Sequence, residues 1–164
     1  MTQRAVAQRA ELRLDDLGAT RALGRRLAAA LRGGDVVALR GPLGSGKTEL
    51  ARALIRARAG AAVEVPSPSF TLVQDYALAG LVIRHIDLYR LQDAAELVEL
   101  GLAAPEADEV WLIEWPDRAG TLLPDDRLDV VLGQGPTPDA RIAKLIAGLR
   151  WAERLTALCK QPDD

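Results

Sequence analysis

The apolar positions of this chain fall into short blocks whose spacing changes from one block to the next. Leu12 to Leu14 suits a short strand, and behind it Leu23, Leu27 and Leu31 recur at helical spacing. Asp15 or Asp16 can cap that helix, and Gly33 and Gly34 are expected to stop it. Val36, Val37, Ala38 and Leu39 then run without a polar break, as in a strand covered on both faces of a parallel sheet. From Lys47 to Ala59 the helical period returns. Leu50, Ala53, Leu54 and Ala57 share one side, Arg52 and Arg56 the other, and Gly60 closes the segment.

Farther along, residues 67–76 (SPSFTLVQDY) and 81–89 (LVIRHIDLY) flank ALAG and predict an antiparallel hairpin, with an entry kept irregular by Pro66 and Pro68. Asp93 caps a short helix within 94–102 that stops at Gly101. Residues 110–115 (VWLIEW) form a second continuous apolar strand, ended by Pro116. Residues 127–135 read as a strand and 151–158 as a terminal helix, while 140–149 (ARIAKLIAGL) fits either period. The pattern predicts an α/β domain: a mixed, mainly parallel sheet with an antiparallel hairpin, flanked by helices. No repeat or linker-like stretch divides the 164 residues, so one domain is expected, with a core over about 12–149 and a helix and polar tail over 150–164.

Charge and cysteine content narrow the function. Lys and Arg total 21 against 23 Asp and Glu, a balance poorly suited to gripping nucleic acid through many phosphates. Any RNA is therefore expected to be held by a partner. The single Cys159 makes an internal disulfide impossible and fits a reducing cytosol. The first residues lack the apolar segment of a secretory signal and no run approaches a membrane span, so a cytoplasmic protein without membrane attachment is expected. Only three of the basic residues are lysines (Lys47, Lys144, Lys160), and one of them lies in a motif.

Gly41-Pro42-Leu43-Gly44-Ser45-Gly46-Lys47-Thr48 fits G-x-x-x-x-G-K-[ST] between a buried strand and a helix, the setting of a P-loop. Glycines let backbone N–H groups converge on a phosphate at the positive end of the following helix. A side chain at Gly41 or Gly46 is expected to crowd the phosphates. Lys47 can reach the β- and γ-phosphates, and the Thr48 hydroxyl can join the oxygen shell of Mg²⁺.

Such a site also needs a carboxylate on a neighbouring strand. Asp87 and Glu114 both end predicted strands, and Glu114 ends the cleaner one. Asp87 can instead pair with Arg90 as a purely structural strand end. Trp115 either lies against a nucleotide or packs at the sheet edge. His85, the lone histidine, reads as a partly buried strand residue in preference to a catalytic base. Ser67, Ser69 and Thr71 offer hydroxyls that either close over the γ-phosphate or serve loop geometry.

The series GPLGSGKTEL, SPSFTLVQDY, HIDLYRL, a helix ending ELGL, IEWPDR and LLPDDRLDVVL resembles the bacterial TsaE (formerly YjeE) family in order and spacing, over roughly Leu12 to Leu149. The resemblance implies a P-loop NTPase-like fold and binding of ATP and Mg²⁺, with weak ATPase activity alone. It also implies partnership with the TsaD and TsaB proteins in making threonylcarbamoyladenosine beside the tRNA anticodon. The transfer chemistry would belong to TsaD, and tRNA would be met only through the complex.

By resemblance Lys47 and Thr48 serve phosphate and Mg²⁺, and Asp87 is the Walker B-like acid. Glu114 lies near the metal and is needed for hydrolysis, and Trp115 adjoins the nucleotide. Leu43, Gly44, Ser45, Gly46 and Glu49 complete the binding loop, and residues 67–71 form a switch-like loop. Ser69 stands where the family usually has Thr, and Glu49 where many members have Thr; its carboxylate would repel a γ-phosphate and is expected to point away. Residues 140–149 should be a strand on this reading. The rivals are a small-molecule P-loop kinase, for which no lid insertion is visible, and a nucleotide-dependent switch without significant turnover.

Overall fold

The computed structural model describes residues 7–68, 71–78 and 80–160. Seven strands form one sheet in the order β1-β7-β6-β2-β5-β4-β3. They are β1 (Gln8–Leu14), β2 (Val36–Arg40), β3 (Val73–Leu78), β4 (Leu81–Asp87), β5 (Glu109–Glu114), β6 (Leu128–Gln134) and β7 (Arg141–Ala147). Helices α1 (Leu17–Ala30), α2 (Lys47–Ala59), α3 (Ala95–Glu99) and α4 (Leu149–Cys159) flank it. No helix among the described residues is long and apolar enough to cross a membrane.

The four central strands, β6, β2, β5 and β4, run parallel. That is why Val36–Leu39 and Val110–Ile113 are apolar throughout: these strands are covered on both faces. The sheet is mixed, and its antiparallel part is larger than one hairpin. Beside the predicted β3–β4 pair, β7 runs antiparallel to both β6 and β1. Residues 140–149 therefore supply a strand, despite their helical look, because β7 finds a ladder on each side. β1 likewise begins at Gln8 instead of Leu12, its early polar residues being held by backbone pairing down to Gln8 opposite Ala147.

Asp16 is the cap of α1, its Oδ1 accepting the Ala19 N–H at 2.8 Å, while Asp15 pairs with Arg13. The helix stops at Ala30, ahead of the two glycines. Leu31 turns to extended backbone and drops its side chain into the core, and the carboxylate of Asp35 receives the Arg32 N–H. One sheet face carries Val37, Leu39, Leu112, Val130 and Leu145 into a core with Leu23, Leu27, Leu50, Leu54 and Trp151 from α1, α2 and α4. The other face buries Val36, Ile86, Trp111 and Ile113 beneath Leu91, Leu97, Ala119 and Leu123.

Candidate functional site

The register of the central strands decides which side chains meet. Asp87 pairs with Glu114 across β4 and β5, and Leu39 of β2 pairs with Glu114 on its other side. Alternation then puts His85 on the same face as Asp87. This is the face on which α2 packs, so α2 leaves the glycine loop directly above these carboxylates.

The loop does what its residue types require. A Cβ at Gly41 would lie 2.5 Å from the Leu132 carbonyl oxygen and 2.6 Å from Ser45 Oγ, so contact with β6 and the loop itself already demands glycine there. Gly46 heads α2 with φ 101°, and nothing lies within 4 Å of where its Cβ would stand. Behind it, the first-turn N–H groups of a 13-residue helix have no partners within the helix.

Lys47 is only 5% exposed. Its Nζ donates to the carbonyl oxygens of Gly41 at 2.5 Å and Pro42 at 2.9 Å and stands 4.1 Å from the centre of the Trp115 ring. Burial holds its pKa below the usual lysine value, while the charges of Glu114 and Asp87 oppose that shift. Trp115 stands in the left-handed region, φ 57°, at the strand-to-turn corner before Pro116, a conformation costing roughly 1–3 kcal/mol for a residue with a side chain. Tyr89 packs against Trp115 with ring centres 5.0 Å apart. Trp115 thus faces the cleft.

The Thr48 hydroxyl donates to Glu114 Oε1 at 2.8 Å, and the other oxygen of Glu114 lies 2.7 Å from His85 Nε2. His85 is fully buried and Glu114 nearly so. Asp87, 4% exposed, accepts the Tyr89 N–H at 2.9 Å. Glu49 borders the cleft, but its carboxylate is paired with Arg52 at 2.6 Å and reaches Arg21 at 3.7 Å.

Leu43 to Glu49, Ser67, Asp87, Glu114 and Trp115 thus line one cleft of about 550 Å³. Thr71 does not line it, and Ser69 lies outside the described residues. Tyr89 and Arg90 do line it, and their place two and three residues after Asp87 was the available signal. Arg141 had no local signal: from β7 it donates to the loop carbonyls of Ser45 at 3.2 Å and Gly44 at 3.1 Å. It also borders a second cleft of about 410 Å³ with Asp16, Thr20 and Asp139, on the other side of Gly44 to Gly46.

Among the described residues no group of three His, Cys, Asp or Glu side chains forms a metal cage. Mg²⁺ does not need one, since it keeps water and phosphate oxygens in its octahedral shell. The Thr48 hydroxyl and Glu114 carboxylate, hard oxygen donors side by side on the cleft wall, fit such an ion.

A buried strand, a glycine loop with a buried lysine, a helix rising from it and two carboxylates at adjacent parallel strand ends define a P-loop NTPase-like protein. The comparisons agree. The family model described as "Threonylcarbamoyl adenosine biosynthesis protein TsaE" matches residues 14–142, and the chain belongs to this family. The Haemophilus influenzae protein named tRNA threonylcarbamoyladenosine biosynthesis protein TsaE is 40% identical over 113 residues, 68% of this chain and 70% of that one. The Streptomyces coelicolor protein of the same name is 37% identical over 139 residues, 80% and 93% of the two chains. The crystal structure of Bacillus subtilis YdiB superposes with a TM-score of 0.71 and 26% identity over 94% of each chain.

Proposed function

We propose that this protein binds ATP with Mg²⁺ at the glycine loop and hydrolyses it, as the ATPase partner of TsaD and TsaB proteins in forming threonylcarbamoyladenosine on tRNA. The observation that carries this reading is the convergence of Lys47, Thr48, Asp87 and Glu114 on one cleft. The names of the relatives support the pathway, since they are tRNA threonylcarbamoyladenosine biosynthesis proteins.

In this reading Lys47 exchanges two neutral carbonyls for β,γ-phosphate oxygens, a stronger, charge-assisted contact. The backbone N–H groups from Gly44 to Thr48 cradle the phosphates, with Leu43 and Glu49 at the edges. Thr48 and Glu114 hold Mg²⁺, which neutralises charge on the phosphate oxygens. Asp87 orients the attacking water or a water on the metal, and Trp115 flanks the phosphate tail; Ser67 closes the cleft from the switch-like loop. The ribose and base extend over Gly44 to Gly46 into the second cleft, toward Thr20 and Arg141.

The test is Mg²⁺-dependent ATP hydrolysis by the purified chain, with and without TsaB and TsaD proteins of the same organism. Stimulation by the pair supports both the enzyme and the pathway. Binding of ATP with neither turnover nor stimulation removes both and leaves a switch.

A further inference from the structure

The geometry points to His85 as a positioning residue that holds the Glu114 carboxylate, and through it the Thr48 hydroxyl, in the orientation that receives Mg²⁺. This inference rests on the nucleotide reading above and assigns a part to a group which that reading leaves idle. His85 is fully buried on β4, two residues before Asp87, and its Nε2 lies 2.7 Å from Glu114 Oε2. Its Nδ1 is buried and has no hydrogen-bond partner among the described residues. An ionised carboxylate oxygen only accepts, so this contact assigns a proton to Nε2, which donates to Glu114.

The consequence runs along a chain of three groups. With Oε2 held by His85, Oε1 is the oxygen turned to Thr48, whose hydroxyl hydrogen it accepts at 2.8 Å. A hydroxyl whose hydrogen is committed to Glu114 presents only lone pairs to the cleft, as a cation ligand must. Without the His85 donor, a nearly buried carboxylate would have one oxygen unsatisfied and would be free to rotate about its Cγ–Cδ bond. The position of the ring is itself well fixed: β4 pairs with β3 and β5, and His85 stands in register with Gln74 and Leu112.

Substitution by Leu removes the donor at similar volume, whereas Gln carries an N–H to about the reach of Nε2. Two quantities are read: the affinity for ATP in EDTA and the increment that Mg²⁺ adds to it; steady-state turnover is a third. For His85→Leu the expected result is parent-like affinity in EDTA, a loss of about 10–100-fold in the Mg²⁺ increment with the KM for Mg²⁺–ATP rising in step, and a lower kcat. His85→Gln should recover most of both. If His85→Leu does not fold, His85→Asn, whose amide stops short of Glu114, replaces it.

A folded donor-less variant with the parent's Mg²⁺ increment overturns the inference. Equal losses in the Leu and Gln variants that extend to EDTA overturn it as well, because they mark a packing role. Should the parent bind Mg²⁺–ATP without turning it over, the ATPase reading falls while the binding increments still decide the role of His85.

Discussion

Buried charge collects at both ends of β2, and the two collections are built on opposite plans. At the N-terminal end Asp35 is fully buried and fully answered. Arg154 of α4 grips it with two hydrogen bonds of 2.7 and 2.9 Å, and its Oδ2 also accepts the Arg32 N–H. Arg154 in turn lies 3.8 Å from the Trp151 ring centre and donates to the Ala30 carbonyl. At the C-terminal end Lys47 is just as hidden, yet the groups its Nζ touches are carbonyls, a hydroxyl and a ring, while Asp87 and Glu114 act on it through space. The first arrangement is complete within the fold and so holds elements together. The second is left for something else to complete, which is what a binding site for a charged ligand requires.

Substitutions at the two ends should separate these roles. Lys47→Ala is expected to lower ATP hydrolysis on the order of a thousandfold, to the assay background, and to weaken ATP binding. Thermal unfolding should show a smaller loss of stability than Asp35→Asn, since among the described residues the group removed contacts carbonyls, a hydroxyl and a ring but no anion. A folded variant with the parent's ATP affinity would sink the phosphate role. Asp35→Asn should do the reverse. Leaving Arg154 buried without its anion costs about 3–5 kcal/mol, read as a lower melting temperature, while turnover per folded molecule stays at the parent's value. A melting curve that overlays the parent's would mean that the Asp35 cluster does not hold α4.

A subtler case is Asp87→Ala, expected to reduce turnover about 10–100-fold with a smaller stability loss than Asp35→Asn. Full ATPase activity in a strongly destabilised variant would make Asp87 structural. The smallest effect is a slope. Because burial lowers the Lys47 pKa, the unfolded chain keeps a proton that the folded chain releases in the alkaline range below 10.5, so this group makes stability rise with pH there. Comparing parent with Lys47→Met by denaturant titration across that range isolates the term; parallel curves would contradict it.

Much of the active end was legible beforehand, because local rules write it. Gly46 and Gly60 bracket α2 in left-handed backbone, and the helix runs from Lys47 to Ala59 as its period predicts. Asp87 and Glu114 were visible because each follows an apolar run and ends a strand. What stayed hidden depends on partners distant in the chain. His85 meets Glu114 only through the β4–β5 register, 29 residues apart, and Arg141 meets the loop from 96 residues away. The same holds for β7: Ile142, Leu145 and Ile146 carry a helical rhythm, and flanking β1 and β6 decide for strand. The end of α1 was misplaced because Leu31 reaches the core at Ala30's border, ahead of the glycines.

The grip of α4 on Asp35 bears on how the family can diverge. The family match spans residues 14–142, so Asp35 falls inside it and Arg154 outside. Losing the carboxylate would leave Arg154 buried without its anion, even though the apolar face of α4 would still be held by the buried Trp151, Leu155 and Leu158. Losing the helix would take Arg154, the partner of Asp35, away from the start of the strand that leads into the glycine loop. Asp35 and α4 are therefore coupled: neither is cheaply lost while the other remains, so a helix outside the family match is tied to a carboxylate inside it.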